Sequence, residues 1–206
     1  MSEPRQGWLL FDYGEVISLP QPAEELLAMS VLAQLDPVVF TERYWRHRLS
    51  YDRGQAAHLY WADVLGRRLV AGDPVVADLA LLDTGSWSHL NPEMARLLGE
   101  LVDDGHRLAL LSNAPVPIAD MIDEARWARS FRHRFFSCRL ALTKPDPAIY
   151  EAVLRQLGAA PDEVTFIDDR PENRQAAAAL GIRPVAYPGP SVQPVADLRT
   201  ALSGRP

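Results

Sequence analysis

The chain has 206 residues, enough for one domain or for one core with a modest insert. Hydrophobic residues make up 48% and charged residues 23%, which excludes a disordered chain, a collagen-like chain and a disulfide scaffold. Lys and Arg number 21 against 27 Asp and Glu, a net charge of −6. That balance offers no electrostatic footprint for nucleic acid but leaves room for a locally positive pocket. The single cysteine, Cys138, has no partner for an internal disulfide and reads as a small core residue. Met1-Ser2-Glu3-Pro4-Arg5 lacks the design of a signal peptide, and no apolar run approaches the roughly 18 residues of a membrane span. The expectation is a cytoplasmic protein with no membrane and no nucleic-acid partner, either a monomer or a homodimer.

Trp8-Leu9-Leu10-Phe11 reads as a buried strand ending at Asp12-Tyr13-Gly14. From Pro20 to about Asn91 the pattern is helical, with helices expected from Pro22, over Thr41 to Leu49 and over Gln55 to Leu65. Asp52-Arg53-Gly54 forms the turn between the last two. Asn91-Pro92-Glu93 opens a helix that Gly105 closes, and Arg107 to Leu111 is a strand ending at Ser112-Asn113. Arg134 to Ser137 is a weaker strand. Pro147 opens a helix closed by Gly158, Val164 to Ile167 is a strand ending at Asp168-Asp169, and Pro171 opens an Ala-rich helix to Leu180. Pro184 to Tyr187 is a last strand before a Pro-rich tail. The strands are continuously apolar and alternate with helices, which implies a doubly wound α/β core on a parallel sheet. The core takes residues 1–17 and 91–206, and residues 18–90 form a helical cap inserted after the first strand.

Ligands of parallel sheets bind beyond the carboxyl ends of the strands. There the sequence places Asp12, Ser112, Asn113, Asp168 and Asp169, with Lys144 in a loop before a helix. Singly, each has an ordinary reading: turn, cap or solvated residue. Together they have a chemical logic. Converging carboxylates repel unless a cation lies among them, and hard oxygens suit Mg²⁺. Asp12 is then a candidate nucleophile, Ser112 and Asn113 candidate donors to a phosphoryl group, and Lys144 a neutralising charge.

Four segments carry a family resemblance: Leu9-Leu10-Phe11-Asp12-Tyr13-Gly14-Glu15-Val16-Ile17, Leu110-Leu111-Ser112-Asn113, Lys144-Pro145-Asp146-Pro147-Ala148-Ile149-Tyr150, and Phe166-Ile167-Asp168-Asp169-Arg170-Pro171-Glu172-Asn173. The chain resembles the haloacid dehalogenase-like hydrolases. It is similar in particular to the branch with the N-terminal phosphatase domain of epoxide hydrolases and the sugar-1-phosphate phosphatases. The resemblance implies a Mg²⁺-dependent phosphatase of a small phosphorylated metabolite. Asp12 would be nucleophile and metal ligand, and Gly14 would offer its backbone carbonyl to the ion. Asp169 would stand on the metal side with Asp168 and Asn173 in support. Ser112 and Asn113 would hold the phosphoryl group, and Lys144 would bridge it to Asp12.

The chain departs from the family pattern at Gly14, where phosphatases usually carry a second Asp as acid and base. Loss of such a group costs about 10²–10⁴-fold in rate. Glu15 is the nearest substitute in sequence, and an acid from the cap is another source. Two alternatives follow: haloacid dehalogenation, whose leaving group needs no proton, and a catalytically silent member that binds a phosphorylated ligand or a protein. Dehalogenases usually replace the paired acids that this chain keeps as Asp168-Asp169, and Tyr13 stands one position too early for their aromatic residue. A receiver domain has the opposite order of acids. In the cap, Tyr44, Trp45, Tyr51, Tyr60 and Trp61 read mostly as packing, and Arg43, Arg46, Arg48 and Arg53 mostly as solvated. One or two of these arginines facing the site would suit an anionic substrate. The five histidines show no metal-ligand spacing.

Overall fold

The computed structural model describes residues 7–203; the opening pentapeptide lies outside them. Five strands form one parallel sheet: β1 (Trp8–Phe11), β2 (Arg107–Ser112), β3 (His133–Phe136), β4 (Val164–Asp168) and β5 (Arg183–Ala186). Their order is β3-β2-β1-β4-β5, so β1 is central. Phe11 is level with Leu110 on one side and Ile167 on the other. That register brings Asp12, Ser112 and Asp168 to one edge of the sheet.

Helices α1 (Ala23–Leu32), α2 (Pro37–Asp52), α3 (Ala57–Leu65) and α4 (Pro74–Ser86) follow β1. Helix α5 (Pro92–Asp103) leads into β2, and α6 (Val116–Glu124) lies between β2 and β3. Helices α7 (Ser137–Leu140) and α8 (Pro147–Leu157) connect β3 to β4. Helix α9 (Pro171–Ala179) connects β4 to β5, and α10 (Val195–Ser203) comes last. Successive strand residues point to opposite faces. Leu9, Phe11, Leu108 and Leu110 pack with Met94, Leu98, Ile118 and Leu198 from α5, α6 and α10. Trp8, Leu10, Leu111 and Phe166 pack with Ile149, Val153 and Ala177 from α8 and α9. Both faces are apolar and both are covered, as the strand pattern implies.

One local signal sets four of the helix starts. Asp36, Asp73, Asn91 and Asp146 each accept backbone N–H bonds of the first turn through the side chain, and each is followed by Pro at the first helical position. Helices α1–α4 bury a core of their own around Phe40, Tyr44, Tyr51, Tyr60 and Trp61. The Tyr51 and Tyr60 rings stack at 4.2 Å. The chain enters and leaves these helices at one place. Leu19 N–H donates to His89 O at 2.7 Å, and Asn91 N–H donates to Ile17 O at 3.0 Å.

Three expectations need correction. Helix α2 starts at Pro37 because Asp36 caps it, and it continues to Asp52, so Asp52 belongs to the helix rather than to the turn. The Pro-rich tail forms α10, which buries Val195, Leu198 and Leu202. Cys138 lies in the single turn of α7 and is only partly buried, beside the core rather than within it. Among the described residues no helix is long and apolar enough to cross a membrane.

Candidate active site

Beyond the carboxyl ends of β1, β2 and β4 lies a cavity of about 610 Å³. Its wall holds Asp12, Gly14, Ser112, Asn113, Lys144 and Asp169 from the sheet side and Trp45, Arg48 and Asp52 from α2. All the candidate residues of the sheet side therefore meet, apart from Asp168, which lies fully buried just behind the wall.

Lys144 organises the floor. Its buried Nζ stands 2.7 Å from Asp12 Oδ1 and 2.8 Å from Asp168 Oδ2. Burial opposes the ammonium charge, but the Asp12 and Asp168 carboxylates outweigh it and hold the group above its ordinary value. Asn113 fixes the loop that carries this lysine: its Oδ1 accepts from Lys144 N–H at 2.9 Å, and its Nδ2 donates to Lys144 O at 3.0 Å. The Asn113 side chain thus clasps the lysine backbone. The Ser112 side chain, also buried, lies on the cavity wall.

Asp168 is saturated. Lys144, the Arg170 N–H at 2.8 Å and Asn173 Nδ2 at 3.0 and 3.1 Å all donate to its two oxygens. Asp12 is held on one side only. Its Oδ1 takes Lys144 and the Tyr13 N–H at 2.7 Å, while Oδ2 has no partner among the described residues. Asp169 is partly buried and its carboxylate likewise receives no side-chain bond among them. Ligand atoms from Asp12, Asp168 and Asp169 lie within 4.8 Å of one another. Burial, with Asp168 and Asp169 adding to it against the pull of Lys144, pushes the Asp12 carboxyl up to about 8. Burial and Asp168 push Asp169 up to about 6. Crowded, desolvated carboxylates with unoccupied hard oxygens are a donor set that fits a divalent cation such as Mg²⁺.

Gly14 lines the cavity, and a Cβ placed on it would stand 3.3 Å from Trp87 Cζ3. The indole covers the place where an acidic side chain would begin. It is held there by Tyr13, whose hydroxyl donates to Trp87 O, and by its own Nε1, which donates to Tyr44 OH at 3.3 Å. Glu15 is exposed at the rim with φ of 58°. Sequence reasoning missed the role of Tyr13 and Trp87. It left open which cap arginine faces the site: Arg48 does, buried on the cavity wall between two carboxylates. The i,i+4 pair of Arg48 and Asp52 was the available signal.

A family model for haloacid dehalogenase-like hydrolases matches residues 10–181. The chain belongs to this family. The matched segment takes in every residue of the cavity floor. Among its relatives, the chain is 31% identical over 137 residues to phosphoglycolate phosphatase 1 of Pseudomonas aeruginosa, covering 59% of this chain and 50% of that protein. The chain thus spans about half the length of that relative. Among solved structures, it superposes on a predicted HAD-like family hydrolase from Porphyromonas gingivalis with a TM-score of 0.72 at 20% identity, over 97% and 98% of the two chains. It superposes on a HAD family enzyme of Bacteroides thetaiotaomicron, solved with magnesium and inorganic phosphate, with a TM-score of 0.68 at 21% identity, over 87% and 93%. The haloacid dehalogenase-like core is therefore the fold of this chain.

Proposed function

We propose that this family member is a Mg²⁺-dependent phosphatase of a small phosphomonoester, working through an aspartyl-phosphate on Asp12, with residues 18–90 as its cap. The observation that supports the reading best is the asymmetry of the Asp12 carboxylate. One oxygen is tied to Lys144 and a backbone N–H, and the other, on the cavity wall, has no partner among the described residues. A phosphatase relative and a structural neighbour solved with magnesium and inorganic phosphate support the same chemistry.

In this reading Asp12 Oδ2 attacks phosphorus while Lys144 holds Oδ1 and offsets the charge that gathers on the phosphoryl oxygens. Ser112 donates to those oxygens. Asn113 contributes from its main chain and by fixing Lys144. Asp12, Asp169 and the Gly14 carbonyl would hold Mg²⁺, with Asp168 and Asn173 orienting the cluster. Bound Mg²⁺ supplies Lewis-acid charge to the phosphoryl group. The test is release of phosphate from an aryl phosphate with and without Mg²⁺, beside Asp12→Asn. Metal-dependent release that falls on the order of 10³-fold or more in the variant supports the reading. An aryl leaving group barely needs protonation, so the missing acid at Gly14 would not explain a null result. No release by the wild type, followed by turnover of a haloacid, would replace it with dehalogenation.

A further inference from the structure

Arg48 and Asp52, on the cavity wall from α2, belong to a second ionic cluster that the phosphatase reading above does not use. Arg48 Nε donates to Asp52 Oδ1 at 2.8 Å, and Arg48 Nη1 donates to Asp83 Oδ1 and Oδ2 at 3.0 and 3.2 Å. The Tyr44 hydroxyl adds a bond to Asp83 Oδ1 at 2.6 Å. All three charged groups are buried. Two carboxylates share one guanidinium, so the cluster buries an excess negative charge unless one carboxyl keeps a proton. The hydrogen bonds decide which one. Asp83 accepts three. Asp52 accepts one, and its Oδ2 has no partner among the described residues. The charged groups that face Asp52 are Arg48, Asp83 and Lys144, and burial shifts its carboxyl upward against the pull of Arg48.

Asp52 is also fixed relative to the sheet. Its carbonyl accepts the hydroxyl of buried Ser137 at the start of α7. Arg53 Nη2 donates to Thr143 Oγ1 at 3.0 Å, one residue before Lys144. Gly54, at φ of 107°, lies so close to Cys138 that a Cβ would stand 3.0 Å from its carbonyl oxygen. The last turn of α2 is thus stapled to the loop ends that carry the catalytic floor, and Asp52 and Lys144 line the same cavity.

We propose that Asp52 is the acid–base residue of the reaction, in the place of the side chain that Gly14 lacks. The inference rests on the phosphatase reading. In the first step the Asp12 oxygen forms a bond to phosphorus, the bond from phosphorus to the leaving oxygen breaks, and that oxygen takes the Asp52 proton. In the second step the Asp52 carboxylate takes a proton from water as the water oxygen bonds phosphorus. Asp12 leaves as a free carboxylate, inorganic phosphate departs, and Asp52 is protonated again.

The test compares p-nitrophenyl phosphate, whose leaving group needs no proton, with benzyl phosphate, whose leaving group does. Both are assayed with Mg²⁺ in the wild type and in Asp52→Asn, which keeps an oxygen for Arg48. The variant is expected to lose about 10²–10⁴-fold in kcat/KM on benzyl phosphate and at least about tenfold less on p-nitrophenyl phosphate. It should also accumulate phosphoryl-enzyme in acid quench, because the water-activating step slows. Equal losses on both substrates, or no loss, would overturn the assignment. A wild-type measurement removes dependence on the variant's folding: kcat/KM across substituted phenyl phosphates should vary weakly with leaving-group basicity. A steep dependence, or hydrolysis of the nitrophenyl ester with none of the benzyl ester, overturns it as well. Wild-type protein that hydrolyses neither ester with Mg²⁺ would instead overturn the phosphatase reading itself.

Discussion

Lys144 shows how much of this site rests on one side chain. It is the cation between Asp12 and Asp168, and it is buried with them. Removing one partner of a buried ionic group typically costs about 3–5 kcal/mol, because the remaining charge is left uncompensated. Lys144→Met is therefore expected to lower stability by about that amount, read from urea unfolding, as well as to remove activity. A loss below about 1 kcal/mol would mean that the two carboxylates do not depend on it. Gly14 makes the opposite point. Its lack of a side chain matches the Trp87 indole packed against it, so the departure from the family pattern is built into the surrounding structure.

The elements divide into those with local signals and those without. The site-bearing strand ends were legible, because each apolar run stops at a polar residue: Asp12 after β1, Ser112 within the end of β2, Asp168 at the end of β4. Asn91-Pro92 and Pro147 marked helix starts correctly, and the same Asp-Pro signal at Asp36 and Asp73 would have placed the starts of α2 and α4. What was not legible depends on distant partners. Asp83 lies far in sequence from the Arg48 it neutralises, and Trp87 reaches Gly14 only through folding. The staple at the end of α2 is likewise long-range. Ser137 Oγ accepts from the Ala114 N–H at 2.9 Å and donates to Asp52 O. Ser137→Ala leaves both buried backbone groups unpaired, an expected loss of about 1–3 kcal/mol by chemical denaturation. If the α2 staple positions the wall, kcat should fall in the same variant. Unchanged stability would show that neither group depends on the hydroxyl.

In the whole molecule, the sheet, helix α2 and the loops between strands converge on one acidic cavity, and its charge links metal binding to pH. The Asp12 carboxyl is raised to about 8 and that of Asp169 to about 6. Raised values mean that the metal-free fold favours the protonated forms. Their contribution to stability is complete below the ordinary carboxylate range and is lost as pH rises through 6 to 8. A divalent ion needs the deprotonated oxygens, so its affinity should rise over the same interval, with release of protons. Thermal unfolding with and without Mg²⁺ is expected to show a larger stabilisation at pH 8 than at pH 6. Equal shifts at both would separate the cation from these carboxylates. Bonding of Asp12 to phosphorus can be read directly by mixing the protein with an aryl phosphate and Mg²⁺, quenching in acid and mapping the phosphoryl group. One phosphoryl group is expected on Asp12 and none in Asp12→Asn. Steady phosphate release with the label on another residue, or undiminished release by the variant, would contradict it.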